Sequence, residues 1–166
     1  MALPIDPVLL VPAVAVLLIA AAISDIRRFV IPNWICLALV ALFAVRLIAA
    51  GADGQPVALH MISLALALGV FVAGATAFHR GWLGGGDVKL LAATSLWMAP
   101  VQLLDFLVLV ALLGGVLALI VFCCVWIRQH LIVRHSTASA SASVGLPYGV
   151  AISAAGVLIL FDIQTL

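Results

Sequence analysis

Five apolar runs, Pro7 to Ser24, Trp34 to Ala50, Val57 to Phe78, Val101 to Ile127 and Leu146 to Phe161, each approach the length that crosses a bilayer. A spanning helix takes roughly 20 mainly apolar residues, because the hydrocarbon layer is about 30 Å thick and each helical residue rises about 1.5 Å. With 67% hydrophobic and 8% charged residues, the chain has too few polar side chains to shield these runs from water. In lipid, a helix satisfies its own backbone hydrogen bonds. The runs therefore predict an all-α, polytopic membrane helix bundle, and the length of 166 residues fits a single membrane domain over residues 1–166.

Charge placement sets a direction. If Asp25-Ile26-Arg27-Arg28 is cytoplasmic, as the positive-inside rule favours, the N-terminus lies outside. The link Gly51 to Pro56 has no Lys or Arg and falls outside, while His79 to Lys89 carries Arg80 and Lys89 and falls inside. Arg128 to Gly145, with Arg128 and Arg134, is expected inside as a flexible cytoplasmic loop (about 128–145) whose Ser136 to Ser143 stretch is of low complexity. That parity requires a sixth, shorter segment, Val88 to Ala99, to cross and turn around Pro100. About six transmembrane helices result, with both termini outside. Arg46 is then the one outer basic residue, expected to snorkel. Met1 to Pro7 has no positive n-region, so the first run reads as a retained helix rather than a removed signal.

Composition excludes several chemistries. The net charge of +1 says nothing about nucleic acid, but no basic stretch is long enough to track phosphates, so no nucleic-acid partner is expected. Cys36, Cys123 and Cys124 form no C-x-x-C pair, so no metal site is expected, and they read as buried small hydrophobes. His79 reads either as an extra acid-base group or as an interfacial residue, and His60, His130 and His135 have no assembled nucleophilic partner. The chain has no Glu, and Asp6, Asp53, Asp105 and Asp162 fall near the outer boundary, which leaves Asp25 and Asp87 as the inner carboxylates.

Asp25 ends the first span and Asp87 opens the segment Val88 to Ala99, so both sit at one depth. Two close carboxyls cannot both ionise cheaply; they share a proton, and one activates water while the other protonates a carbonyl oxygen. The competing reading is a pair of solvated helix caps near Arg27, Arg28 or Lys89. Gly84, Gly85 and Gly86 precede Asp87 and are expected to permit positive φ and close approach of a substrate strand. Lys89 either biases Asp87 or anchors the helix at headgroups. Pro32 and Asn33 suit the turn into the second span, Pro147 suits the first turn of the last, and Tyr148 either anchors at the interface or lines a cleft.

Gly84-Gly85-Gly86-Asp87 fits the Gly-x-Gly-Asp motif of membrane aspartyl proteases, and Val88-Lys89-Leu90 continues it as in type IV prepilin peptidases. Asp25-x-Arg27 with Ile31-Pro32-Asn33 resembles the segment after the first catalytic Asp of those enzymes, especially the short forms serving Flp or Tad pili. Pro147-Tyr148-Gly149-Val150-Ala151-Ile152 resembles a third family segment. The resemblance implies a helical membrane bundle of the bacterial inner membrane with Asp25 and Asp87 as catalytic pair. Gly84, Gly85, Gly86, Lys89, Arg27, Pro32, Asn33, Pro147, Tyr148 and Gly149 would support the motif or the substrate cleft. It also implies a prepilin substrate whose basic leader is cut after a Gly at the cytoplasmic face, just before its hydrophobic helix. Longer members carry an extra C-x-x-C domain and N-methylate the product; nothing here matches that domain, so a peptidase without methylation, zinc or S-adenosylmethionine, and without any other cofactor, is expected. Acids beside a glycine-broken helix also fit a small transporter or channel, and a noncatalytic subunit of a pilus or secretion assembly is a third reading.

Overall fold

A computed structural model describes residues 7–54, 56–131 and 146–165, and over these the chain is helical with short connections. The helices are α1 (Pro7–Arg28), α2 (Asn33–Ala52), α3 (Ala58–His79), α4 (Gly85–Ser95), α5 (Leu103–Leu131) and α6 (Tyr148–Thr165). Four carry stretches long and apolar enough to cross a membrane: Leu10–Arg28, Asn33–Ala52, Ala58–His79 and Leu103–Ile127. Of the flexible loop expected over about 128–145, residues 128–131 belong to α5, and residues 132–145, with Arg134, His135 and the Ser-rich stretch, lie outside the described residues.

The helix ends follow from local chemistry. At the end of α1, Phe29 adopts φ 51° and its N–H bonds to the Asp25 carbonyl at 2.9 Å, a left-handed cap usually filled by glycine. Ser24 Oγ donates to the Val30 carbonyl at 2.8 Å and fixes the same turn. Pro32, at φ −63° and ψ 132°, then sets the extended entry into α2. At the end of α3 the left-handed position falls to Gly81 (φ 74°), with Trp82 N–H reaching the Ala77 carbonyl at 2.9 Å. The positive φ expected within Gly84 to Gly86 is therefore displaced: Gly84 is extended at φ −72°, and Gly85 and Gly86 begin α4.

The short helix α4 sits inside the bundle, packed on α2, α3 and α6, while α1 packs on α2 and α6 and α5 packs on α6. Its 11 residues rise only about 16 Å. The sixth segment is thus not helical over Val88 to Ala99 but unwinds after Ser95. Irregular backbone at membrane depth must be enclosed by protein. Here Ser63 Oγ donates to the Met98 carbonyl at 3.1 Å and the Trp97 indole N–H donates to the Leu39 carbonyl at 3.2 Å. Leu90, Trp97 and Met98 join Leu18, Leu39 and Phe106 in the core. Small residues let the helices close: a Cβ on Gly74 would lie 2.8 Å from Val88 Cγ1, and one on Gly156 2.8 Å from Thr94 Cγ2.

The outer faces are apolar, with Leu37, Ile48 and Leu104 exposed. Cys36 is buried as expected, but Cys123 and Cys124 are exposed on α5. A lipid-facing surface and a packed one are equally apolar, so composition could not separate them.

Candidate functional site

Asp25 sits one turn before the end of α1 and is 4% exposed, which sets aside its reading as a solvated cap. The first turn of α6 covers it: the backbone N–H groups of Gly149 and Val150 face its carboxylate. That approach requires glycine at 149, where a Cβ would stand 2.8 Å from both Asp25 Oδ2 and Ile31 Cδ1. Among the described residues Asp25 Oδ2 has no hydrogen-bond partner although it is buried, an expensive state for a carboxylate oxygen unless it holds or accepts a proton.

Asp87 occupies the first turn of α4, where helical N–H groups favour negative charge. It is half-buried and lies outside the four spanning-length stretches. Burial first, and the charge of Asp25 second, push its carboxyl up to about 6, against the Gly84 amide, which lowers it. The two acids are therefore close enough to feel one another, Asp25 at the end of α1 and Asp87 at the start of α4, with the first turn of α6 beside Asp25.

Both acids line one cavity of about 660 Å³ together with Phe29, Val30, Ile31, Asn33, Gly81 to Gly86, Lys89, Leu146 and Tyr148. Each of the three glycines has its own neighbour. A Cβ would come within 2.7 Å of Asp87 Oδ2 at Gly84, 3.3 Å of the Phe78 ring at Gly85 and 3.3 Å of Ile31 Cβ at Gly86. Their smallness serves the packing of the chain around its own carboxylate. Lys89 Nζ donates to Asn33 Oδ1 at 3.0 Å, tying α4 to the start of α2 rather than reaching Asp87. Tyr148 lines the cavity and also packs against α5, where a Cβ on Gly114 would meet its ring at 2.9 Å.

Not every expected residue converges. Arg27 is exposed in the last turn of α1, where its charge suits the helix end. Pro32 and Pro147 stand immediately before α2 and α6, with structural work to do there, and none of these three lines the cavity. The apolar rim was missed: Phe29, Val30 and Trp82 are 59%, 60% and 70% exposed, and Arg80 lies over the Trp82 ring at 5.3 Å from its centre. A run of Phe-Val after two arginines, and Trp-Leu directly before three glycines, is the signal that marks them. Among the described residues no cluster of three His, Cys, Asp or Glu side chains has the arrangement of a metal site.

Neither a curated protein nor a solved structure matches the chain. The sequence model of the type IV leader peptidase family matches residues 13–119, a region that contains both Asp25 and Asp87. Since that match spans more than half of the 166 residues, the chain belongs to the type IV leader peptidase family.

Proposed function

We propose that this leader peptidase-like protease is an aspartic endopeptidase that removes the short basic leader of type IV, Flp-like prepilins at the cytoplasmic face of the inner membrane. The observation that carries the reading is the shared cavity: Asp25 and Asp87 face it together, and the charge of one raises the pKa of the other. A pair in that state holds one proton between two carboxyls.

Hydrolysis then needs only the pair and a water. The ionised carboxyl takes a proton from water as its oxygen attacks the scissile carbonyl carbon, and the protonated carboxyl gives its proton to the carbonyl oxygen. On collapse of the tetrahedral diol, the C–N bond breaks, the proton gained from water passes to the leaving nitrogen, and a diol hydroxyl returns its proton to the carboxyl that gave one, restoring the singly protonated pair. The oxygen of that water ends in the new carboxyl group, so no metal or covalent intermediate enters the balance. In this reading the exposed rim of Phe29, Val30 and Trp82 receives the first apolar residues of the pilin helix, and the basic leader extends away from the bilayer.

The test is coexpression with a Flp-type prepilin, with leader loss read as a mobility shift. Wild type cleaves; Asp25→Asn and Asp87→Asn, each inserted at wild-type level, do not. Full cleavage by either variant overturns the assignment and leaves a noncatalytic assembly role.

A further inference from the structure

A second cavity, also of about 660 Å³, lies at the end of the bundle remote from Asp25 and Asp87, and the proteolytic reading makes no use of it. Arg46, His60, Ser63 and Gln102 line it among apolar walls that include Leu59 and Leu160, and among the described residues no acidic side chain does. Arg46, the outer basic residue expected to snorkel, is half-buried, with its guanidinium carbon 5.7 Å from the centre of the buried Trp97 ring. A ring contact holds the guanidinium plane while using none of its five N–H donors. His60 stacks at a tilt on Phe43, ring centres 6.3 Å apart, and its Nδ1 is buried with no hydrogen-bond partner among the described residues. Gln102 accepts the Ala99 N–H through Oε1 at 3.3 Å, which leaves its amide N–H₂ group as a further donor.

Depth narrows the ligand. Arg46 is six residues from the end of α2 and His60 two from the start of α3, about 9 Å and 3 Å along their helices. His60 is thus close to the helix ends, and the long Arg46 side chain can carry its charge toward the level where lipid phosphates meet acyl chains. A cation held among apolar residues is costly without an anion, and a guanidinium fork beside two neutral donors matches the oxygens of a phosphate. We infer that this cavity binds one phosphate group, carried by an anionic phospholipid or free as inorganic phosphate, with Arg46 as charge partner and His60 and Gln102 as donors.

The full chain, purified in detergent, is tested by thermal unfolding and native mass spectrometry with phosphatidylglycerol, phosphatidylcholine or inorganic phosphate. Phosphatidylglycerol is expected to protect at a concentration about tenfold below that of phosphatidylcholine and to remain as one bound molecule. Arg46→Gln abolishes that preference, and Arg46→Lys keeps part of it. His60→Phe preserves the ring contact with Phe43 and weakens binding several-fold, which decides the matter should Arg46→Gln fail to insert. Displacement of phosphatidylglycerol by millimolar inorganic phosphate supports the phosphate site and names the free ion as a second occupant; protection by phosphatidylglycerol alone names the lipid. Equal protection by both lipids without any effect of inorganic phosphate, or a preference unchanged in both Arg46→Gln and His60→Phe, overturns the inference.

Discussion

Two cavities of equal volume occupy opposite ends of one bundle with different polar linings: Asp25 and Asp87, with Lys89, line one, and Arg46 with the neutral donors His60 and Gln102 the other. The helix α4 joins them. Its first turn carries Asp87, and the turn into which it unwinds carries Trp97, Met98 and Gln102 to the far cavity. The acids lie against helix N-termini, those of α4 and α6, where free amides face them. A short central helix thus makes two polar sites affordable in an apolar bundle, because each site is built at an end of α4 where backbone groups are already seeking partners.

The hardest test of the contrast acts on the acidic end. Asp25→Asn or Asp87→Asn is expected to lower the cleavage rate by about 10³-fold or more, since each removes a group that moves a proton in the proposed reaction. Gly115→Ala, where an added Cβ meets nothing within 4 Å, is the matched control and should cleave at the wild-type rate. Gly149→Ala comes next. Its Cβ would intrude on Asp25 Oδ2 and Ile31 Cδ1 at 2.8 Å, so Asp25 or α6 must shift, and a misplacement near 1 Å costs on the order of 10²-fold. Prepilin processing read alongside the melting temperature separates this local effect from general unfolding.

Packing around α4 provides a stability counterpart. Gly74→Ala places a methyl group 2.8 Å from Val88 Cγ1, and overpacking of this kind costs about 1–3 kcal/mol. Gly69→Ala, on the same helix with nothing within 4 Å, should be neutral or stabilise by up to about 1 kcal/mol through helix propensity. Reversible unfolding in mild detergent measures both. Equal effects at the two positions would show that α3 does not close on α4 through Gly74.

Titration sharpens the electrostatic side. Asp87 is raised from 3.8 to about 6, first by burial and then by Asp25. The folded state therefore binds a proton more tightly than the unfolded chain. The associated stability is complete below pH 3.8, declines as pH rises through about 6 and is gone above it. Asp87→Asn should flatten that decline, and Asp25→Asn should move it to lower pH by removing the neighbouring charge. Melting temperatures across pH 4 to 8 test both, and a decline unchanged in Asp25→Asn would deny the coupling of the two acids.

Much of this architecture is visible in the sequence, for reasons that also mark where reading stops. Runs such as Ala58–His79 announce helices because lipid leaves an apolar backbone no alternative. Asp25 and Asp87 stand out because acids are scarce and one follows three glycines. The true length of α4 is not legible, since its unwinding at Leu96 depends on Leu39 and Ser63, 58 and 35 residues away from their partners Trp97 and Met98. The purpose of Gly149 is equally hidden: it concerns a carboxylate on α1, not the turn in which the glycine stands. Arg46 reads as an isolated interfacial cation until Trp97 and His60 are brought beside it by tertiary packing.

The smallest expected effect concerns Phe29, a non-glycine residue at φ 51° on the rim of the acidic cavity. A left-handed conformation costs an L-residue about 1–2 kcal/mol, and glycine would relieve it at an unfolded-state entropy cost of about 0.5–1 kcal/mol. Phe29→Gly should therefore be slightly more stable than wild type, by up to about 1 kcal/mol, with the α1 cap and the Ser24 to Val30 hydrogen bond preserved. Strain retained against such an easy remedy needs a use for the ring, and the ring faces the cavity mouth with 59% of its residue surface exposed. If that use is to receive the apolar start of the substrate helix, Phe29→Gly raises KM several-fold and leaves kcat near wild type, because the carboxyls are untouched. A variant that is more stable with an unchanged KM would assign the strain to the helix cap alone and remove Phe29 from the substrate path.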